Sequence, residues 1–294
     1  MRILVTGTTG QVGWELCRAL SPLGQVLTPT RSEFDLLQPD TLSVWLDQWQ
    51  PHIIVNPAAY TAVDKAESEP ELAEAANHQA VASLARWCAT ASALLVHFST
   101  DYVFDGRQSR PYEVTDTPGP LSVYGRSKLA GEDAIRASGC RHLILRTSWV
   151  YASRGKNFLR TMLRLANQHD SLRVVADQFG APTPARGLAD VTAQLLARQA
   201  HSLPLPSSLL HVTAAGQTSW HGFAEHLVQR GSTLGLCRRV PVQAITTAEY
   251  PTPALRPAFS LLSGAELMRA YGLALPDWTV GVEHVLSEVA TQNA

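Results

Sequence analysis

Over its first two-thirds the chain repeats one pattern, a short run of consecutive apolar residues followed by an alanine-rich stretch with helical spacing. The runs are Ile3–Thr6, His52–Asn56, Leu94–Ser99 and His142–Thr147; the helical stretches include 71–91 and 129–137. A strand with one wet face alternates apolar and polar residues, and Ile53-Ile54-Val55 does not. Such strands need cover on both sides, which a parallel sheet with helices on both faces provides. The pattern predicts an α/β chain with a Rossmann-type, doubly wound parallel sheet.

The first run leads into Gly7-Thr8-Thr9-Gly10-Gln11-Val12-Gly13, and Trp14-Glu15-Leu16 opens a helix behind it. Glycines turn the chain tightly and let backbone amides approach a pyrophosphate at the positive end of a helix. The spacing is G-x-x-G-x-x-G, not the G-x-G-x-x-G fingerprint, so the motif alone also fits an ordinary glycine-rich turn. The strand before it and the helix after it favour nucleotide binding. The second strand, read over residues 25–31, should end near the adenosine ribose, where a carboxylate would bind the 2′-hydroxyl of NAD. Thr30 and Arg31 stand there instead. A missing carboxylate and an added cation favour a 2′-phosphate, which predicts NADPH and leaves NADH possible; a solvated loop arginine is the alternative for Arg31.

Near residue 150 the rhythm changes. Residues 157–167 read as an amphipathic helix, Leu172–Val175 as a strand, Gly180–Pro184 as a loop, 187–199 as a helix and 209–213 as an apolar strand. Past Trp220 come a helix, a loop punctuated by Pro251, Pro253 and Pro257, and a terminal helical stretch. The expected division is an NAD(P)-binding domain over 1–150, rejoined by about 186–215, and a smaller C-terminal substrate-binding lobe from 151–185 and 216–294. That lobe is expected over the sheet's carboxyl edge, where open α/β sheets bind ligands.

Composition narrows the partners. Of 294 residues 45% are apolar and 17% charged, and 24 Lys+Arg against 25 Asp+Glu leave a net charge of −1. A nucleic-acid or membrane-surface binder would carry a basic face, so neither partner is expected. No apolar run reaches the roughly 18 residues of a membrane span, and the N-terminus reads as a strand entering a turn, not a cleavable signal. Cys17, Cys88, Cys140 and Cys237 show no metal-ligand spacing, which suits a reduced cytoplasmic protein without a structural zinc.

The stretch Pro120-Leu121-Ser122-Val123-Tyr124-Gly125-Arg126-Ser127-Lys128 carries the chemistry. Ser122 can cap a helix that puts Tyr124 and Lys128 on one face, four residues apart. A tyrosine ionises near pH 10, and a neighbouring ammonium would bring that toward the working range. Alone, Tyr-x-x-x-Lys is also an exposed helix face. His97-Phe98-Ser99-Thr100-Asp101-Tyr102-Val103-Phe104 strengthens the reading, because it ends an apolar strand with hydroxyls at the carboxyl edge. Strand alternation lets only one of Ser99 and Thr100 face a site there.

Together these features resemble the extended short-chain dehydrogenase/reductase superfamily. Within it the chain is similar to the dTDP-4-dehydrorhamnose reductases over nearly its whole length. The similarity runs through Gly10–Leu16, Thr61–Glu67, Ser99–Phe104, Arg146–Tyr151, Asp177–Thr183 and Tyr250–Pro257. It implies NAD(P)H-dependent reduction of the C4 ketone of a dTDP-sugar, dTDP-4-dehydro-L-rhamnose, giving dTDP-L-rhamnose for cell-surface glycans. By the resemblance Tyr124 donates the proton, Lys128 tunes it and holds the nicotinamide ribose, and Thr100 hydrogen-bonds the reacting oxygen. Gly7, Gly10, Gln11, Val12 and Gly13 would hold the pyrophosphate, Asp35 and Leu36 would lie by the adenine, and Ala59, Tyr60 and Thr61 would line the cofactor. Thr100, Asp101, Tyr102 and Trp149 would contact the sugar; for Trp149 a core aromatic, and for Arg256 a surface arginine, are the alternatives to facing the substrate.

Two positions depart from the family's pattern. Thr30 replaces a frequent acidic residue, and Arg186 stands where metal-bridged members supply a second carboxylate to partner Glu15. The expectation is therefore a monomer or weak homodimer with no required metal. The rival readings are a nucleotide-sugar epimerase or dehydratase and a non-catalytic nucleotide-binding regulatory subunit. A dehydratase would carry an acid after Asp101, where Tyr102 stands, and a pure binder needs no tuned tyrosine. The ten histidines never cluster at ligand spacing, which leaves a metal-dependent hydrolase little support.

Overall fold

The computed structural model describes residues 1–201 and 207–293. The gap, 202–206, falls inside the segment expected to rejoin the first domain, and that part lies outside the described residues. The chain opens with β1 (Arg2–Val5), α1 (Gln11–Leu20), β2 (Gln25–Leu27), α2 (Leu42–Trp49) and β3 (Ile53–Asn56). Two short helices follow, α3 (Val63–Ala66) and α4 (Pro70–Glu74), then α5 (Ala80–Ala91), β4 (Leu94–Thr100), α6 (Val123–Ala137) and β5 (Arg141–Thr147).

Beyond β5 come β6 (Val150–Tyr151), α7 (Phe158–Gln168), β7 (Leu172–Val175), β8 (Phe179–Gly180) and β9 (Thr183–Pro184). Helix α8 (Ala185–His201) and β10 (Ser208–His211) return to the main sheet. The chain closes with β11 (Thr218–Ser219), α9 (Trp220–Thr233), β12 (Val242–Ile245), α10 (Ala265–Tyr271) and α11 (Trp278–Asn293).

Six parallel strands form the sheet in the order β10-β5-β4-β3-β1-β2. Adjacent residues in a strand point to opposite faces. Ile3, Val5, Ile53, Val55, Val96 and Leu145 therefore pack against Leu16 and Leu20 of α1 and Leu188 and Leu195 of α8. Leu4, Ile54, Leu95 and Ile144 pack the other way, against Leu42, Leu46, Leu84 and Ile135. The consecutive apolar runs reflect this double cover. A separate apolar cluster joins Leu159 and Leu163 of α7, Phe223 and Leu227 of α9, and Val282 and Leu286 of α11.

Three elements differ from the sequence expectation: residues 180–184, expected as a loop, hold the end of β8 and all of β9, and two others depart as follows. The second strand ends at Leu27, four residues short, because Pro29 has no amide to donate and cannot continue the ladder. The helical stretch expected over 71–91 is broken by a π-turn at Ala75–Gln79, which displaces Asn77 inward and buries it. π-turns of this kind concentrate at functional sites.

Candidate active site

From β1 the chain passes out to β2 at the sheet's edge and returns to β3 on the other side of β1, so the connections that leave the paired carboxyl ends of β1 and β3 run in opposite directions. Open α/β sheets bind ligands at such a switch point. A cleft of about 870 Å³ opens there. Gly7, Gly10, Gln11, Val12 and Gly13 form its floor; Thr30, Arg31, Asp35 and Leu36 one wall; Ala59, Tyr60 and Thr61 another. Tyr124 and Lys128 close it from α6. Gly7 sits at φ +58°, and a Cβ on Gly13 would drive into the Gly7 carbonyl oxygen. Gly10 caps α1 with no side chain, and the first turn holds no acidic residue. The free amides and positive helix end thus face the cleft, which fits a dinucleotide pyrophosphate.

The wall after β2 is more balanced in charge than its sequence suggests. Glu33 folds back so that its carboxylate accepts from the Thr30 amide and hydroxyl, both at 2.8 Å. Arg31 is three-quarters exposed and lies 3.5 Å from Asp35.

Helix α6 is fixed at its start and along its flank. The Ser122 hydroxyl accepts from the Gly125 amide at 3.1 Å, and Glu67 takes the Val123 amide at 2.8 Å, so two end amides are satisfied. Asn77, brought inward by the π-turn, donates to the Ser127 hydroxyl at 3.0 Å and grips the Tyr60 backbone on both sides. A Cβ at Gly131 would strike the Asn77 carbonyl, so the glycine permits this close approach.

Tyr124 and Thr100 meet at the carboxyl edge. Burial pushes the phenol up to about 12, and the Thr100 hydroxyl beside it works against that rise. Burial thus acts in the direction opposite to the lowering expected from the lysine. The Lys128 ammonium points instead to the Phe98 carbonyl, 2.7 Å away, and to His97 Nε2, 3.0 Å away. Burial draws Lys128 down to about 8, partly offset by Glu132. Ser99 also lines the cleft, but its hydroxyl is committed to Glu132, to which it donates at 2.5 Å, and Thr100 is the hydroxyl that meets Tyr124.

Asp101 is buried, and its Oδ2 has no hydrogen-bond partner. Burial raises its carboxyl to about 6, with the Ser260 and Thr100 hydroxyls opposing. Tyr102 meets Tyr124 edge to face, with centroids 5.5 Å apart. Arg256 comes close to Tyr102 while donating to Asp64 at 2.8 Å, so it is an anchored arginine and not a free surface one. Trp149 lies two residues past Thr147, the register partner of Thr100. It stacks on Trp220 with centroids 3.6 Å apart and holds φ +48°. Gln50 and Ser92, also at positive φ, end helices; Trp149 does not, and a bulky residue there stores about 1–3 kcal/mol of strain.

Some of the site was not read from the sequence. Arg154, Gly155 and Lys156 line the cleft across from the glycine turn, and Asn157 donates to Gln11 at 2.9 Å. The only local signal was a basic pair around a glycine, which also describes any solvated loop. Away from the cleft, Arg186 pairs with Glu15 at 3.3 Å and with Glu288, and Arg18 joins Glu15 to Asp190. Among the described residues no group of three or more His, Cys, Asp or Glu could hold a metal ion. No helix among them is long and apolar enough to cross a membrane.

A tyrosine acid one helical turn from a lysine, set beside the switch point of a doubly wound sheet, is the architecture of the extended short-chain dehydrogenase/reductases. This chain is an oxidoreductase of that class. Its sequence matches the family model for the RmlD substrate binding domain over residues 1–291. It is 48% identical to a dTDP-4-dehydrorhamnose reductase of Burkholderia thailandensis, covering 99% of this chain and all of the relative. The fold superposes on a dTDP-4-dehydrorhamnose reductase from Clostridium acetobutylicum with a TM-score of 0.91 at 33% identity, over 98% of this chain and 99% of the other. The Bacillus anthracis enzyme in complex with NADP gives 0.89 at 33% identity over the same shares. The chain belongs to the dTDP-4-dehydrorhamnose reductase family.

Proposed function

We propose that this chain reduces the C4 ketone of dTDP-4-dehydro-L-rhamnose to dTDP-L-rhamnose, for use in cell-surface polysaccharide. The observation that carries the reading is a buried Tyr124 that meets Thr100 and, with Lys128 one turn on, closes the glycine-floored cleft. When bound, NADPH supplies the hydride. The chain's residues supply the proton and the setting. With its phenol near 12, Tyr124 is an acid at neutral pH: its O–H bond breaks and the proton passes to the C4 oxygen. Thr100 donates a hydrogen bond to that oxygen, where negative charge develops. Lys128, one turn along α6, offsets the charge left on the phenolate and holds the nicotinamide ribose. Asp101 suits a sugar hydroxyl, because its unpartnered Oδ2 would gain a donor there. Tyr102, Trp149 and Arg256 form the sugar's surroundings.

On the cofactor side, Gly7, Gly10, Gln11, Val12 and Gly13 take the pyrophosphate, Asp35 and Leu36 the adenine, and Ala59, Tyr60 and Thr61 the inner face. Arg31 favours the 2′-phosphate of NADPH, with Asp35 tempering the preference through its contact with Arg31 and the Glu33 carboxylate doing so from its place on Thr30. We read residues 1–150 with about 186–215 as the cofactor domain, and 151–185 with 216–294 as the sugar lobe. The protein acts in the cytoplasm as a monomer or weak homodimer without metal, because Glu15 is already paired with Arg186 and Arg18.

Incubation with dTDP-4-dehydro-L-rhamnose and either cofactor tests the reading. One NADPH should be oxidised per sugar, with kcat/KM for NADPH at least equal to that for NADH. Turnover of the sugar without net cofactor oxidation would indicate an epimerase instead.

A further inference from the structure

Behind Lys128 a chain of polar side chains crosses three strands with almost no exposure to water. Lys128 Nζ lies 3.0 Å from His97 Nε2 on β4. His97 Nδ1 lies 3.1 Å from Asn56 Nδ2 on β3, and the Thr6 hydroxyl, just past β1, donates to Asn56 Oδ1 at 2.6 Å. His97 and Asn56 are fully buried, Lys128 and Thr6 nearly so. Nothing in the reduction itself calls on His97 or Asn56.

Hydrogen-bond counting leaves this chain two arrangements. A neutral imidazole has one N–H and one lone pair. If Asn56 donates from Nδ2, His97 carries its proton on Nε2 and can only donate to Lys128, which must then be a neutral amine. If the Asn56 amide turns over, Oδ1 accepts the Nδ1 proton, and the Nε2 lone pair accepts from a lysine ammonium. Thr6 serves either orientation, since a hydroxyl both donates and accepts. A doubly protonated ring fits neither, and burial together with Lys128 holds His97 well below its ordinary value.

We propose that His97 is a positioning residue for the reducing pair, tying the charge of Lys128 to one ring tautomer and one Asn56 orientation so that the lysine stays beside Tyr124 in both protonation states. The proposal rests on Tyr124 and Lys128 as that pair. The Phe98 carbonyl accepts from Lys128 in both states, so His97 supplies the contact that distinguishes them. The charged surroundings favour no other partner. On α6, Glu132 is taken by Arg146 of β5, and Tyr124 stays protonated to about 12. Asp101, just past β4, makes its hydrogen bond with Thr100. From the π-turn, His78 pairs with Glu74, while Asn77 is neutral.

The direct test is the ¹⁵N shift of the His97 ring in resting protein from pH 6 to 10, assigned by its loss in His97→Gln. Nε2 should be unprotonated at low pH and gain the ring proton as Lys128 titrates near 8. A single tautomer throughout, or an imidazolium, would overturn the proposal. Kinetics give a second readout. His97→Leu removes the acceptor of the ammonium, so the alkaline limb of kcat/KM should move down by about one pH unit and kcat fall about tenfold, with KM for the sugar little changed. His97→Gln, whose amide can donate or accept, should restore most of both. Equal losses in the two variants with an unmoved limb would mean a merely structural histidine. If His97→Leu does not fold, the tautomer titration of the unaltered protein still decides. It needs no substrate, so it also stands apart from any failure of the sugar assignment.

Discussion

One face of α6 carries two buried polar clusters a turn apart, and they are completed differently. At Glu132 both carboxylate oxygens are taken: Arg146 reaches them at 2.8 and 2.6 Å, Ser99 donates to one, and Arg136 approaches the other. Arg146 also lies over the Phe104 ring, 5.0 Å from its centroid. These partners hold the Glu132 carboxyl below its ordinary value despite complete burial, so its charge is fixed. At Tyr124 and Lys128 burial has no such answer: the acid is pushed up and the base drawn down. The difference teaches how to tell a buried charge that holds a fold together from one that reacts. The first has an opposite charge in place beside it; the second has only neutral partners.

Substitutions in the two clusters should therefore fail in different assays. Tyr124→Phe should keep the fold and NADPH affinity and lose about 10²-fold or more in kcat, the range of a lost general acid. Near-normal turnover by the folded variant would remove the distinction at its reactive end. Glu132→Leu strands the Arg146 charge in the core and should lower the unfolding free energy by about 3–5 kcal/mol, measured by denaturant titration. Its turnover per folded molecule should fall far less than in Tyr124→Phe, and a variant as stable as the parent would show that the ion pair is dispensable.

A smaller effect separates the clusters by pH. Unfolded lysine keeps its proton to about 10.4, whereas buried Lys128 releases it near 8. Between these values the unfolded state binds more protons, so stability contributed at this site rises with pH. From pH 8 to 9.5 the parent should gain about 1–2 kcal/mol relative to Lys128→Met; parallel stability curves would contradict the lowered lysine. The smallest expected effect is none. EDTA at matched ionic strength should change neither activity nor mass by light scattering, because Arg186 and Arg18 already neutralise Glu15. A loss on chelation that Mg²⁺ restores would show that an acid such as Asp190 completes a site after all.

What the sequence disclosed follows the range of the interactions. The glycine turn, the Ser122 cap and the spacing of Tyr124 to Lys128 are local, and each was legible within a few residues. The consecutive apolar strands declared a sheet covered on both faces. The His97–Asn56 and His97–Lys128 contacts join residues 41 and 31 positions apart, and a lone histidine in an apolar strand looks like any core residue. The π-turn was hidden because an alanine-rich helix tolerates it without a marker residue. Pro29 did signal the early end of the second strand, but the apolar residues before it carried the longer reading.

In the proposed reaction a hydride arrives at C4 of the sugar while Tyr124 protonates its oxygen. NADPH deuterated at the transferred position of C4 tests this directly when it is incubated with dTDP-4-dehydro-L-rhamnose and the product is examined by NMR. One deuterium should appear at C4 of dTDP-L-rhamnose for each NADP formed. Deuterium at another carbon, or an altered sugar carrying no label while the cofactor stays reduced, would contradict it.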